Sequence, residues 1–154
     1  MLPTLPKGYP QPVPEILVAT DAAWLLEEIT SVLSSAEITV RGVTRGAEVV
    51  PAVEDRVPDL VILDLQIGNM GGMAACMDLR LEESAGRLPR VRVLMLLDRR
   101  PDVFLARRSD VDGWLVKPMS PIKLRKAATE LLAGRPYRDE SFAPNPVLVA
   151  PLAE

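Results

Sequence analysis

The sequence predicts an α/β fold in which a five-stranded parallel sheet carries helices on both faces. Short apolar runs and amphipathic segments alternate five times along the chain, which is the pattern of strand–helix units in a parallel sheet. The apolar runs show little alternation with polar residues, as expected for strands that are buried on both faces. The 154 residues are enough for one ordinary domain and too few for two comfortable ones.

The first half of the predicted core supplies three of the strands and two helices. Apolar runs predict strands at 16–19, 38–43 and 60–63. Helical spacing predicts an amphipathic helix over about 22–34, with an apolar side formed by Trp24, Leu25, Ile29, Val32 and Leu33. A weaker helix over 47–55 contains Pro51, so we expect that helix to start late or to bend.

The second half completes the alternation. Two consecutive glycines, Gly71 and Gly72, interrupt the chain before a helix at 73–83. Further strands are predicted at 91–97 and 114–116, separated by a helix over 101–108 in which Pro101 suits the first turn. A final helix over 121–132 has Ser120 as its expected N-cap residue.

Proline marks the limits of this core. Five of the 15 prolines fall between residues 3 and 14, and four more between 136 and 151. Because proline lacks an N–H and clashes with a preceding helical turn, these segments are predicted to be arms. The expected organisation is an N-terminal arm at 1–14, a core domain at 15–133 and a C-terminal arm at 134–154. Tyr137 and Phe142 lie in the second arm and are predicted to anchor on a partner.

Composition excludes several classes of function. The chain has no histidine and one cysteine, Cys76, which removes His-based chemistry, internal disulfides and Cys-cluster zinc sites. A net charge of −3 argues against general nucleic-acid binding. No apolar run is long enough to span a membrane, and no secretion signal opens the chain, so we expect a cytoplasmic protein. Because few residues follow 133, we expect no DNA-binding output domain.

Polar residues follow four of the predicted strands, where ligands bind in open parallel sheets. Asp21 follows the first strand, Asp64 and Gln66 the third, Asp98 the fourth and Lys117 the fifth. Carboxylate and carbonyl oxygens suit Mg²⁺, and a lysine can hold a phosphoryl group. Taken singly, Asp21 could instead be a helix N-cap and Asp64 a turn residue.

The segments around these residues resemble a known family. The segment PDLVILDLQIGNMGG resembles the phosphoacceptor region of bacterial response-regulator receiver domains, while DGWLVKP and ILVATD resemble that family's fifth and first strands. The resemblance implies a flavodoxin-like fold with Asp64 as phosphoacceptor. It also implies Mg²⁺ at Asp21, Asp64 and the Gln66 carbonyl, and a phosphoryl contact from Lys117. Leu97 and Trp114 occupy the two positions that move together when a receiver switches.

Four departures from the family pattern predict a damaged switch. Thr20 replaces one acidic residue, so Mg²⁺ should bind weakly, and Gly68 stands where proline is usual. Leu97 lacks the switch hydroxyl, which removes a charge-assisted hydrogen bond of about 1.5–3 kcal/mol. That loss is as large as a typical coupling between two sites, about 1–3 kcal/mol. Asp98 would repel a phosphoryl dianion; an alternative is that it replaces the missing carboxylate.

A basic stretch indicates where a partner could dock. Residues 98–130 carry eight Lys and Arg against five Asp and Glu. A docking face for an acidic partner would be formed by Arg99, Arg100, Arg107, Arg108, Lys123 and Lys126. A solvated helix surface is the plainer interpretation of the same charges. Phe104, within this stretch, is expected to pack into the core; the alternative is that it is exposed and anchors the partner.

Three functions are compatible with these features. The first is an orphan pseudo-receiver that acts as a non-enzymatic protein-interaction subunit. Its Ala, Arg, Val and Pro content resembles that of stand-alone receivers of mycobacteria and related actinobacteria. Some of those receivers are encoded beside the genes of respiratory complex I. That resemblance implies an accessory subunit on the cytoplasmic face of the membrane complex. The alternatives are an active single-domain receiver phosphorylated on Asp64, and a small Mg²⁺-dependent phosphoryl-transfer enzyme.

Overall fold

A parallel sheet runs through the computed structural model, which describes residues 13–140. The strands are β1 (Glu15–Ala19), β2 (Thr39–Val43), β3 (Leu60–Asp64), β4 (Val93–Leu97), β5 (Gly113–Val116) and β6 (Tyr137–Arg138). Their order across the sheet is β2-β1-β3-β4-β5-β6, and every neighbouring pair is parallel. The five predicted strands are confirmed, and β6 adds a sixth.

The helices lie on both faces of this sheet, as predicted. They are α1 (Ala23–Leu33), α2 (Val49–Asp55), α3 (Gly72–Ser84), α4 (Val103–Arg108) and α5 (Pro121–Leu132). Alternate residues of β1 divide between two buried clusters: Ile16 packs with α1 and α5, whereas Leu17 packs with α2, α3 and α4. All residues of β1, β3 and β4 are buried, which is why these runs show no polar alternation.

Local signals place the helix ends as predicted. Ser120 caps α5, since its hydroxyl accepts the Lys123 N–H at 3.2 Å. The second helix begins late: a 3₁₀ turn over Gly46–Glu48 precedes α2, so Pro51 falls in the first α-helical turn, where no N–H partner is required. A second 3₁₀ turn, Arg100–Asp102, precedes α4.

Two aromatic side chains differ from the prediction. Trp24 was expected on the apolar side of α1 but is 63% exposed, because Leu25, Ile29 and Leu33 form the buried stripe of that helix. Phe104 was expected in the core and is 73% exposed, because Ala106 is the buried residue of the short helix α4. Both errors have one cause: a short apolar pattern does not fix which way a helix is rotated.

The C-terminal boundary also differs. The chain after α5 was predicted to leave the core at 133, yet Tyr137–Arg138 forms β6 beside β5. Pro136 precedes this strand, and as an edge position it needs no N–H for the sheet, so proline does not prevent pairing here. Tyr137 therefore packs against the cluster shared by α1 and α5 rather than standing free for a partner. Phe142 and the N-terminal arm up to residue 12 lie outside the described residues.

No helix between residues 13 and 140 has the length and the apolar composition that a membrane crossing requires.

Candidate functional site

Asp64 lies at the centre of the predicted edge and is nearly buried, with 3% of its surface exposed. It ends β3, and its carboxylate accepts three hydrogen bonds. Oδ1 lies 2.7 Å from the Lys117 ammonium and 3.1 Å from the Gln66 backbone N–H, while Oδ2 lies 2.8 Å from the Thr20 hydroxyl. The Gln66 bond is the turn contact expected of an aspartate, so Asp64 is a turn residue as well as the centre of the site.

Gly72 allows the chain to fold back over Asp64. A Cβ atom at this position would come within 2.6 Å of the Asp64 carbonyl oxygen, closer than van der Waals contact permits. The start of α3 therefore packs directly on the end of β3 only because residue 72 has no side chain. The break predicted at the two consecutive glycines is thus a packing requirement of the site.

Lys117 reaches this centre from β5. Its backbone N–H donates to the Leu97 carbonyl at 2.8 Å, and the Lys117–Pro118 peptide bond is cis. The ammonium contacts two carboxylates, Asp64 at 2.7 Å and Asp98 at 3.3 Å. The other Asp98 oxygen, Oδ2, is buried and accepts no hydrogen bond from the part of the chain that the structure describes. Asp98 thus competes with Asp64 for the lysine.

Thr20 takes part in the site in a way that the sequence interpretation missed. It was considered only as a lost acid, yet its buried hydroxyl donates to Asp64 Oδ2 and accepts the Ala22 N–H at 3.2 Å. A hydroxyl directly after the first strand was the available signal, because such a group can donate to a neighbouring carboxylate whereas an aspartate cannot.

Asp21 and Gln66 line the outer side of the site and are exposed. Asp21 does not cap α1, whose N-cap is Ala22 without a side-chain bond; its Oδ2 instead accepts the Gly68 N–H at 3.0 Å. Within residues 13–140, no group of three or more Asp, Glu, Cys or His side chains is arranged to hold a metal ion. The carboxylates of Asp21 and Asp64 and the Gln66 carbonyl are nevertheless hard oxygen donors, which fit Mg²⁺ in chemical type.

The two switch positions are buried in the core. Leu97 is fully buried, and Trp114 is 6% exposed in the same cluster. The guanidinium carbons of Arg107 and Arg138 each lie 5.7 Å from the centre of the Trp114 ring. Trp114 thus packs in this cluster with two cations over its indole ring.

The predicted basic residues do not form one uniform surface. Arg99, Arg100, Arg107 and Arg108 are exposed around α4 together with Phe104. Lys126 is exposed on α5, whereas Lys123 is half-buried and lies 3.5 Å from Asp139. Tyr137 is partly buried in β6, and burial, followed by the nearby Asp139 carboxylate, raises the pKa of its phenol.

Comparison with known families gives a match over most of the chain. A family model described as the response regulator receiver domain matches residues 16–129. The nitrate/nitrite response regulator protein NarL of Escherichia coli (strain K12) is 32% identical over 139 residues, which cover 89% of this chain and 62% of NarL. The DNA-binding response regulator MtrA of Mycobacterium tuberculosis (strain H37Rv) is 33% identical over 111 residues, covering 71% of this chain and 46% of MtrA. The chain thus spans only part of the length of these relatives.

Solved structures agree on the fold. A response-regulator structure from Chloroflexus aurantiacus superposes with a TM-score of 0.72 at 22% identity, covering 79% of this chain and 99% of that one. The signal receiver domain of a histidine kinase from Syntrophus aciditrophicus gives 0.70 at 26% identity, with 79% and 92% covered. The chemotaxis response regulator CheY4 of Vibrio cholerae gives 0.69 at 20% identity, with 78% and 99% covered.

Proposed function

This chain belongs to the response regulator receiver domain family of two-component signalling, and from that premise we propose that its phosphorylation switch is degenerate. It acts by binding a protein partner and has no enzymatic activity of its own. The proposal places the chain in the cytoplasm.

The contact between Asp98 and Lys117 carries this proposal. In the family the lysine contacts the phosphoryl oxygens, but here its ammonium is shared by two carboxylates at 2.7 and 3.3 Å. A phosphoryl dianion on Asp64 would compete with the Asp98 carboxylate for that single cation. The Asp98 carboxylate would also repel the dianion. Leu97, buried and without a hydroxyl, offers no second donor.

Weak Mg²⁺ binding is part of the same proposal. Receiver domains typically bind Mg²⁺ at the phosphorylation site, where the ion neutralises charge on the phosphoryl group. In this chain the ligands would be the carboxylates of Asp21 and Asp64 and the Gln66 carbonyl. Thr20 contributes a hydroxyl in place of a further carboxylate, so the charge available to hold the ion is smaller.

Phosphorylation is tested with a small phosphodonor. The full chain is incubated with acetyl phosphate and Mg²⁺, and its intact mass is measured; we expect little or no addition of a phosphoryl group. The double variant Leu97→Thr, Asp98→Ala restores a switch hydroxyl and frees Lys117, so it should label more. Asp64→Asn in that background is the control for the site. Stoichiometric labelling of the unmodified chain, lost in Asp64→Asn, would refute the proposal.

That refuting outcome would favour the second function, an active receiver phosphorylated on Asp64. One observation supports it: Asp64 and Lys117, the phosphoacceptor and phosphoryl-contact positions, are both present and in contact. NarL and MtrA, both named as response regulators, keep this alternative open.

For the partner, we propose a protein with an acidic surface that meets the exposed arginines around α4. More specifically, we propose that the chain is an accessory subunit of respiratory complex I. This role would bring the chain to the cytoplasmic face of the inner membrane. The compositional resemblance to stand-alone actinobacterial receivers is what supports it. The tagged chain should co-purify with complex I subunits from detergent-solubilised membranes, and Arg100→Glu with Arg108→Glu should reduce that recovery. Recovery of complex I at background level would refute the assignment.

A further inference from the structure

The sixth strand closes the edge of the sheet beside the switch aromatic. After α5 the chain turns at Gly134, where φ is +87°, and returns parallel to β5 with Tyr137 opposite Gly113 and Arg138 opposite Trp114. A Cβ atom on Gly113 would come within 2.5 Å of the Tyr137 carbonyl oxygen, so only glycine permits this approach. Gly113 therefore allows the Tyr137 backbone to lie this close to β5.

Asp139 fixes the end of this strand by polar contacts. Its side chain is almost fully buried, with 1% exposed, and lies 3.5 Å from the Lys123 ammonium. One carboxylate oxygen accepts the Val116 N–H at 3.1 Å, and the Asp139 N–H donates to the Trp114 carbonyl at 3.1 Å. A buried carboxylate is stable only when it is paired in this way, so losing the pairing would release the strand.

Arg138 connects the strand to Trp114. Its guanidinium lies over the indole ring at 5.7 Å, and Arg107 of α4 lies at the same distance. The indole N–H is buried and has no hydrogen-bond acceptor among residues 13–140. Trp114 thus packs in the apolar cluster with a cation from each of two elements over its ring, and its side chain makes no hydrogen bond within residues 13–140.

We propose that residues 137–139 are a latch: they hold Trp114 inward and close the β5 edge, with Asp139 as the residue that fastens them. Release of the latch would expose Trp114 and the open edge of β5. This regulation goes beyond the proposed function, because it operates at the opposite side of β5 from Asp64 and holds whether or not Asp64 accepts a phosphoryl group.

The test uses Trp114 as its own reporter in the full chain. Replacing exposed Trp24 by Phe leaves Trp114 as the single tryptophan. In that background Asp139→Ala is compared with Glu140→Ala, a matched control at the exposed neighbouring carboxylate. We expect Asp139→Ala to shift Trp114 emission to longer wavelength and to increase its quenching by acrylamide, while Glu140→Ala behaves like the parent.

Amide hydrogen exchange gives the second measurement. Loss of a hydrogen bond to a charged acceptor should lower the protection of the Val116 amide by about tenfold to a hundredfold in Asp139→Ala. Amides of β1 and β3 should keep their protection. Unchanged emission and unchanged Val116 protection would overturn the latch. Loss of protection throughout β1 and β3 would overturn it as well, because residues 137–139 would then be an integral part of the core.

Discussion

Lys117 is predicted to be coupled much more strongly to Asp64 than to Asp98. The first pair is short and sheltered: the atoms are 2.7 Å apart, and the two side chains are 18% and 4% exposed. At an effective dielectric constant near 20, two unit charges at this distance attract by about 6 kcal/mol before desolvation is subtracted. Desolvation offsets much of that attraction, leaving a net value nearer that of a charged hydrogen bond, about 1.5–3 kcal/mol.

The Lys117–Asp98 pair is longer and more exposed to solvent than the Lys117–Asp64 pair. Asp98 lies 3.3 Å from the ammonium and is 34% exposed, which brings it closer to a surface ion pair worth about 0.2–1 kcal/mol. Both carboxylates contact the same lysine, so the coupling energy of one pair can be compared directly with that of the other.

Double-mutant cycles measure both couplings. Lys117→Met removes the charge while keeping the length of the side chain, and it should cost about 3–5 kcal/mol alone, because it leaves Asp64 buried without its cation. The cycle with Asp64→Asn should give about 1.5–3 kcal/mol of interaction energy in urea unfolding at pH 7, and the cycle with Asp98→Asn less than about 1 kcal/mol.

Two results would refute this reasoning. An Asp64–Lys117 coupling below about 0.5 kcal/mol, within the usual error of additivity, would show that the contact contributes no stability. A larger coupling for Asp98 than for Asp64 would show that the lysine belongs to Asp98.

Three further predictions concern the metal, the cysteine and a buried arginine. Thr20→Asp should raise Mg²⁺ affinity about tenfold or more in calorimetric titration, since it adds a charged ligand; equal affinity would contradict the role given to Thr20. Burial raises the pKa of the Cys76 thiol to about 11, so at pH 9 only about one thiol in a hundred is ionised and iodoacetamide should react far more slowly than with the urea-unfolded chain; equal rates would disprove burial. Arg80→Ala removes bonds to two shielded carboxylates and the Val91 carbonyl and should lower stability by about 3–5 kcal/mol in urea unfolding. Arg87→Ala, at an exposed arginine, should leave the free energy of unfolding nearly unchanged. Similar losses of stability in the two variants would refute a structural role for Arg80.

The sequence predicted the strands well because burial on both faces leaves an unbroken apolar run. In β3 and β4 every residue is buried; β3 ends at Asp64, and Asp98 directly follows β4. The convergence of Asp64, Asp98 and Lys117 followed from the same rule, since parallel strands bring their carboxyl ends to one edge. These features depend on periodicity and topology, both of which are readable from one sequence.

The features that the sequence did not reveal depend on direction and on weak signals. Trp24 and Phe104 were assigned to the wrong side of their helices. In a short helix with several neighbouring apolar residues, the sequence does not determine which of them face the core. The strand Tyr137–Arg138 has two residues and follows proline, so nothing in its composition marks it. The sequence interpretation treated Thr20 as a missing carboxylate. In the structure its hydroxyl donates a hydrogen bond to Asp64.

The substitutions at positions 20 and 98 make a consistent electrostatic unit. An aspartate at 20 would face the Asp64 carboxylate, and two such groups tolerate one another only with a cation between them. Thr20 removes that repulsion and donates to Oδ2, while Lys117 and the Gln66 N–H supply Oδ1. Both Asp64 oxygens therefore have donors from the chain itself, and Lys117 also contacts Asp98 at 3.3 Å. Because its own two oxygens already have these donors, Asp64 gains less from Mg²⁺ or a phosphoryl contact than a carboxylate without donors would, although Asp98 Oδ2 has no donor within residues 13–140.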